Sequence, residues 1–299
     1  VPTASAAASS SSSNVRDTSV ASPPAAPLGV DGSGTYLASP DAAIRLGALL
    51  PPSTTLLVVL RDPALRAARR WRELQRRAEY ARAGMQTFEA RVLAEAEGLS
   101  RCFEKAASEG SNGGGGGVGL AANAWDSCVA TVCGARSCVT GSGVYHPQLS
   151  AWSQAAQGFR WVVLPGEALQ TRSTEGLGRI FEAMEQQPPN GLPCLASQLH
   201  EWLTSSSNTS TSSAYLNKPQ TTQLAHRLLV NFFLRYNAHL QPLAHSLDPA
   251  SARLWKSVRW APSGVSAVNE AAGESGLQAF KRSANMLRAA LRGGGGGAR

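Results

Sequence analysis

One stretch limits the fold more than any other: an apolar run without alternation that is followed at once by helical spacing. Residues 56–60 read LLVVL, which is typical of a strand buried on both faces of a parallel sheet. After Pro63, apolar or small residues recur every three to four positions. A proline suits the first turn of a helix because its missing N–H would be unpaired there. The stretch therefore predicts a buried strand that leads directly into a helix.

Arg61 follows the last residue of this predicted strand. Ligands of open α/β sheets bind at the carboxyl ends of the strands, and the N-terminus of a helix favours anions. The predicted helix carries three further arginines, Arg66, Arg69 and Arg70. The pattern predicts a phosphate or sulfate site. The alternative is that Arg61 is a surface arginine beside a solvated basic helix.

The overall charge suits an anionic partner. The 299 residues include 28 Lys and Arg against 20 Asp and Glu, which gives a formal net charge of +8. A basic balance fits nucleotides, nucleic acid or acidic polysaccharide. No basic stretch with interleaved aromatic residues and no zinc-knuckle spacing is found, so we expect no nucleic-acid partner. No apolar run reaches the roughly 18 residues that a membrane span needs.

The cysteines leave several pairings open. Cys128, Cys133 and Cys138 are spaced by five, which does not match a zinc site, and no histidine pair flanks them, so we expect no metal site. With Cys102 and Cys194 the total is five. An odd count fits one or two disulfides with a thiol left over, or no disulfide at all.

Composition and periodicity divide the chain into three parts. Residues 1–27 are a Ser/Ala/Pro-rich stretch that predicts a disordered linker, because it cannot bury enough apolar surface to become ordered. Residues 28–262 predict a partial α/β domain, interrupted by flexible insertions at 108–120 and 203–214. Residues 263–299 predict a weakly ordered, Gly-rich tail.

Within the domain, helical spacing alternates with one further apolar run. The predicted helices cover residues 40–50, 88–107, 145–156, 174–184 and 222–244, and the second predicted strand covers 160–164. Helix, strand and helix in succession form an α/β layer. We therefore expect both strands to lie in one parallel sheet flanked by helices.

Four segments, in this order, resemble the sulfotransferases that use 3′-phosphoadenosine 5′-phosphosulfate, in particular the heparan-sulfate type. They are DGSGTYLASPDAAIRL at 31–46, LLVVLRDPALRAARRW at 56–71, GSGVYHPQLSAW with WVVLPGEAL at 141–169, and AYLNKPQTTQLAHRLLVNFFLRYNAHLQPL at 214–243. The resemblance implies an incomplete fold of the P-loop nucleotide-kinase type. It also implies transfer of a sulfuryl group from the cofactor to a hydroxyl or amine of a carbohydrate.

The resemblance also implies roles for individual residues. Arg61 would bind the cofactor's 3′-phosphate, and Lys218 would offer it a basic group from the C-terminal loop. Arg69 stands where the family has a serine, and an arginine can also hold a phosphate. Gly32 and Gly34 depart from the family, which has a lysine and a proline at these positions.

In the family, the glycine-rich 5′-phosphosulfate loop with its catalytic lysine precedes all four segments, as does the usual catalytic base. Nothing in residues 1–28 resembles this loop. The catalytic residues are therefore unknown here and expected upstream of this chain, which as given should be an incomplete enzyme. In-line transfer needs cations on the bridging and leaving oxygens, and these would come from that loop.

By resemblance, the protein is expected in the Golgi lumen or secretory pathway, attached to the membrane only through a missing N-terminal anchor. Asn208 begins an Asn-Thr-Ser sequon and would then be a glycosylation site. The expected partner is a carbohydrate or polysaccharide acceptor. Two alternatives stay open: a non-catalytic relative that binds nucleotide or polyanion, and a basic protein that binds polysaccharide or nucleic acid without any cofactor.

Overall fold

The computed structural model describes residues 36–76, 87–110, 122–134, 138–184, 193–194, 196–198, 201, 220–256, 258 and 275–293. Within them the chain forms two strands, β1 (Thr55–Leu60) and β2 (Arg160–Pro165). The helices are α1 (Pro40–Leu49), α2 (Pro63–Gln75), α3 (Phe88–Gly110), α4 (Ala122–Cys133), α5 (Tyr145–Ala155), α6 (Gly166–Thr171), α7 (Ser173–Ala183), α8 (Gln220–Tyr236), α9 (Leu240–Leu247), α10 (Ala252–Lys256) and α11 (Gly276–Gly293). Short 3₁₀ turns occupy Tyr36–Ala38, Gly141–Gly143 and Pro249–Ser251. The predicted α/β class is confirmed in this broad form.

The two strands pair in parallel, with Thr55 opposite Arg160 and Leu60 opposite Pro165, as the sequence predicted. Helices α1, α5 and α9 cover one face of this sheet. Helices α6, α7 and α10 cover the other face, but their apolar contacts are with β2.

The prediction that the first strand is buried on both faces is wrong for two residues. Leu57 and Val59 remain 48% and 47% exposed. Their side chains lie on the face that α6, α7 and α10 cover only over β2, because residues directly opposite in register share a face of the sheet. In this chain, a continuous apolar run therefore forms a strand that has one buried face and one partly exposed face.

A second core is entirely helical. It packs α2, α3, α4, α8 and α11 together, with Phe232 in contact with the rings of Phe103 and Phe280. The sequence predicted a weakly ordered tail from residue 263 onward, but the structure differs at α11, where Phe280 and Leu287 are buried. Apolar residues spaced three and four apart explain this helix.

The predicted helix at 222–244 is broken in two. Helix α8 ends at Tyr236, and α9 begins at Leu240. Pro242 explains the break, because it has no N–H for the carbonyl of Ala238 and its ring would clash with that carbonyl in a continuous helix. The interruption leaves the half-buried Asn237 at the turn between α8 and α9, where its side chain can reach other elements.

Two disulfides are present, Cys102–Cys128 between α3 and α4, and Cys133–Cys138. Cys194 is a free, exposed cysteine. The structure therefore has two disulfides and one free thiol, which is one of the outcomes that the odd number of cysteines allowed. Disulfides are rare in reducing compartments, so the pairs indicate an extracellular or secretory-pathway protein. No helix in the described parts of the chain is long and apolar enough to cross a membrane.

Several predictions fall outside the described residues. These are the linker at 1–27, the insertion at 203–214, and the residues Gly32, Gly34, Asn208 and Lys218. Of the predicted insertion at 108–120, the first three residues belong to the end of α3, and the remainder also lies outside.

Candidate functional site

The carboxyl ends of both strands bring together charged and hydroxyl side chains from three parts of the chain. We call this group the strand-end site; it consists of Arg61, Asp62, Arg66, Ser142, Tyr145 and Glu167. Tyr145 is buried, and the charges of both arginines and both carboxylates influence the pKa of its phenol. In a parallel sheet this is the edge where ligands bind.

The sequence places Arg61 and Asp62 between the end of β1 and the start of α2. The Asp62 side chain caps the helix: Oδ1 accepts hydrogen bonds from the N–H of Ala64 at 2.8 Å and of Leu65 at 3.2 Å. These are two of the donors that an anion at the helix N-terminus would use. That part of the expectation is corrected, because a bound anion must be held here mainly by side chains.

Two long-range hydrogen bonds hold the backbone of this turn. The N–H of Asp62 donates to Oε1 of Glu167 at 2.8 Å, and the hydroxyl of Tyr145 donates to the carbonyl of Arg61 at 2.9 Å. Burial is the main cause that raises the pKa of Tyr145, so its hydroxyl keeps its proton. The peptide that carries the Arg61 side chain is thus fixed from both sides.

The turn Gly141–Gly143 forms the second wall of the site. Ser142 accepts a hydrogen bond from the guanidinium of Arg66. At Gly143 a Cβ atom would lie 2.7 Å from the ring of Phe233 and 3.0 Å from Cβ of Pro63. Only glycine allows this close approach, which brings the turn against the start of α2.

Asn237 holds the same turn from the break between α8 and α9. Its Nδ2 donates to the carbonyl of Gly143 at 2.9 Å. Its Oδ1 accepts from the N–H of Tyr145 at 2.8 Å and of His146 at 3.2 Å. Helix α5 has no capping side chain of its own at Val144, so Asn237 supplies the cap from a distant element.

The charge of the strand-end site depends on Asp62. Burial is the main cause that raises the pKa of Asp62 from its ordinary value of 3.8 to about 7, and Glu167 adds to it. No cation among the described residues pairs with this carboxyl. Likewise, no carboxylate in the described parts of the chain pairs with Arg61 or Arg66. Near neutral pH, protonation of Asp62 therefore leaves the site with net positive charge.

Of the predicted site residues, only some lie in the strand-end site. Arg61 lies in the strand-end site, and Lys218 lies outside the described residues. Arg69 is exposed and pairs with Glu73 at 3.3 Å, so it contacts none of the strand-end residues. Arg66, noted in the sequence as one of several basic residues, is the helical arginine that reaches the glycine turn.

Sequence reasoning assigned no site role to Ser142, Glu167 or Asn237, although all three lie within the segments that resemble the sulfotransferases. Further local signals were the pair of glycines around Ser142 and Pro242, which interrupts the predicted helix after Asn237. Glu167 is the second residue of α6.

Polar groups also cluster at two other places among the described residues. A cavity of about 270 Å³ between α3 and α11 is lined by side chains of both charges, and it includes no residue of the strand-end site. Glu95, Cys133 and Cys138 lie within 4.8 Å of one another, but the two sulfurs are joined in a disulfide. Glu95 instead accepts hydrogen bonds from the N–H groups of Val139 and Thr140.

In comparisons with known proteins, no protein-family model, no curated protein and no solved structure matches the chain. The resemblance to sulfotransferases stays a prediction from the quoted motifs.

Proposed function

We propose that the chain belongs to a carbohydrate sulfotransferase that uses 3′-phosphoadenosine 5′-phosphosulfate, and that the strand-end site binds the cofactor's 3′-phosphate. One observation carries the proposal. Three segments that resemble the family are far apart in sequence, yet their residues meet at this site. Arg61 comes from the segment at 56–71, and Ser142 and Tyr145 come from the segment at 141–169. Asn237, which holds the Gly141–Gly143 turn of this site, comes from the segment at 214–243.

The donor set fits a phosphate. Guanidinium groups bind phosphate oxygens with two parallel hydrogen bonds, and a hydroxyl can add a third donor. Arg61, Arg66 and Ser142 would hold the 3′-phosphate, with Arg66 in the role that the sequence assigned to Arg69. When bound, the cofactor supplies the sulfuryl group that is transferred to a hydroxyl or amine of the acceptor. The proposal assigns no catalytic residue in this chain.

The proposed location is the Golgi lumen, where a carbohydrate acceptor would be available. The two disulfides support the secretory pathway in general. The basic charge of the chain suits an acidic polysaccharide as acceptor.

The test is calorimetric titration with adenosine 3′,5′-bisphosphate and with adenosine 5′-monophosphate, which lacks the 3′-phosphate. We expect the unmodified protein to prefer the bisphosphate by about 5- to 150-fold, the range for a charged hydrogen bond of about 1–3 kcal/mol. Arg61→Ala should lose most of this preference while its affinity for the monophosphate stays unchanged. Arg66→Ala should behave in the same way.

Arg69→Ala is the matched control, because it removes an arginine of the same helix that pairs with Glu73 outside the site. It should keep the preference for the bisphosphate. Equal affinity for both nucleotides in the unmodified protein, or equal losses in all three variants, would rule the proposal out.

One observation favours a second candidate, a non-catalytic relative that binds polyanions. Arg69 on α2 and Arg76 just after its end are exposed, so part of the basic surface faces solvent away from the strand-end site. Binding of an anionic polysaccharide to this surface should weaken steeply with salt and should not depend on Arg61. Salt-sensitive binding without preference for the 3′-phosphate would select this candidate.

A further inference from the structure

The residues that lead into the Gly141–Gly143 turn are held by one buried carboxylate of α3. Glu95 is 3% exposed. Its Oε2 accepts hydrogen bonds from the N–H of Val139 at 2.9 Å and from the N–H of Thr140 at 2.8 Å. Val139 and Thr140 are themselves buried, so water cannot take over as the acceptor for these two N–H groups. The position of residues 139 and 140 therefore depends on Glu95.

The charge of Glu95 is neutralised on the same helix. Arg91, one turn earlier on α3, donates from Nε to Oε1 of Glu95 at 2.5 Å. One carboxylate oxygen thus binds the cation, and the other binds the backbone in front of the turn. Because the pair carries no net charge, it does not repel a phosphate at the strand-end site.

Thr140 connects Glu95 to the strand-end site. The N–H of Gly143 donates to the carbonyl of Thr140 at 3.0 Å, so the turn closes on a residue that Glu95 holds. Between these two residues lies the half-buried Ser142, whose Oγ accepts a hydrogen bond from the guanidinium of Arg66. A displacement of Thr140 would therefore move Ser142 and, with it, Arg66.

Three other side chains bind the carbonyl groups of this turn. They are Trp125, which donates to Gly141 at 3.1 Å, Gln148, which donates to Ser142 at 3.3 Å, and Asn237, which donates to Gly143 at 2.9 Å. Glu95 adds the acceptor for the two N–H groups that precede the turn. If the carboxylate is removed, two buried donors lose their partner, and the backbone must shift to find another.

We propose that Glu95 is a positioning residue for the cofactor's 3′-phosphate and acts through Ser142, an inference that rests on the proposed function of the strand-end site. The hydroxyl proton of Ser142 has no acceptor among the described residues, so it is available to a phosphate oxygen. Glu95 fixes the place of this hydroxyl and of the guanidinium bonded to it. Glu95 lies outside the four segments that resemble the sulfotransferases, so the resemblance assigns it no role.

The test measures, in the full chain, the ratio of the affinities for adenosine 3′,5′-bisphosphate and adenosine 5′-monophosphate. Titrations are made at a temperature at which circular dichroism shows the variants to be folded. Glu95→Ala should lower the ratio by about 5- to 10-fold, the effect of about one lost hydrogen bond. Glu97→Ala is the matched control, because it removes a carboxylate of the same helix that pairs with Arg288 of α11. It should leave the ratio unchanged.

Glu95→Gln separates positioning from stability. Glutamine keeps a carbonyl oxygen for the N–H groups of Val139 and Thr140, but it cannot form an ion pair with Arg91. This variant should therefore unfold at lower urea concentration and still keep most of the preference for the bisphosphate. If its preference fell in proportion to its stability, the role of Glu95 would be purely structural and the inference would be overturned, even if Glu95→Ala did not fold.

A double-mutant cycle with Ser142→Ala tests whether the effect passes through Ser142. In the Ser142→Ala background, Glu95→Ala should change the ratio by less than about 2-fold, because two residues of one network are not additive. An equal effect with and without Ser142, or no effect at all, would overturn the inference and leave the proposed function standing. Equal affinity of the unmodified protein for both nucleotides would overturn the proposed function, and the inference with it.

Discussion

The two strands of the sheet are paired in register, yet their surroundings are opposite. At β2, the buried carboxylate of Asp248 accepts hydrogen bonds from Val163 and Ser251 and forms an ion pair with Arg179 at 3.0 Å. At β1, the buried carboxyl of Asp62 is bonded by two backbone N–H groups, and no described cation pairs with it.

The difference shows where the buried polar groups already have all their partners and where they can still bind a ligand. A buried carboxylate with a full set of donors and a cation stabilises its surroundings and has no capacity left for a ligand. A buried carboxyl without a cation has a raised pKa and sits beside guanidinium groups that no described carboxylate neutralises. The proposed phosphate site therefore lies at the end of β1.

Removal of Asp248 tests the β2 side and has the largest expected effect. Asp248→Ala takes acceptors from Val163, Ser251 and Arg179. Among the described residues, the half-buried arginine then keeps only Glu182 as an ion-pair partner. We expect a loss of about 3–4 kcal/mol in the free energy of unfolding, as for a broken buried ion pair. Urea denaturation with the disulfides intact measures it.

The matched control is Asp41→Ala. Asp41 forms an ion pair with Arg45 at 3.9 Å, but both side chains are highly exposed. This substitution should change the free energy of unfolding by less than about 0.5 kcal/mol. If both variants lost equally little, Asp248 would not be the residue that completes the β2 side.

The pH dependence of stability tests the β1 side. The folded state raises the pKa of Asp62 from 3.8 to about 7, so it favours the protonated carboxyl. The stability from this group is fully present below pH 3.8 and is lost as the pH rises to about 7. Relative to Asp62→Asn, the unmodified protein should lose about 2–3 kcal/mol between pH 5 and pH 8, at about 1.4 kcal/mol per pH unit over the titrating range.

Denaturation of both proteins at several pH values gives this difference, in which the other titrating groups cancel. A constant difference for Asp62→Asn would mean that its carboxyl titrates normally, and the contrast with Asp248 would disappear.

The sequence predicted local structure on both sides of the sheet well and the surroundings less well. The apolar runs of β1 and β2 and the Pro63 start of α2 are local patterns, and all three are confirmed. The exposure of Leu57 and Val59 depends on which helices, distant in sequence, cover each face. An apolar run cannot report that, because it has no polar alternation to mark an open side.

The same limit applies to the site residues. Helical spacing placed several arginines after Arg61, but it could not tell that Arg66 reaches Ser142 while Arg69 pairs with Glu73. Which arginine is used depends on a glycine turn far along the chain. Asn237 depends in turn on a helix break that the apolar pattern alone did not reveal.

The smallest loss of stability should follow from Asn237→Ala. This substitution removes hydrogen bonds on the β1 side of the sheet without changing any charge, so it tests whether that side is less stable than the β2 side. The substitution removes the acceptor for the N–H groups of Tyr145 and His146 and the donor to the carbonyl of Gly143. Since the asparagine is half-buried and water can replace part of these bonds, we expect a loss of about 1–2 kcal/mol. Hydrogen exchange should quicken at the amides of Tyr145 and His146, but not at Val163, while Asn285→Ala on the exposed side of α11 should leave all three unchanged. Uniform quickening at Val163 too would mean that the two sides of the sheet open together, and that the strand-end site has no separate mobility for a ligand to restrict.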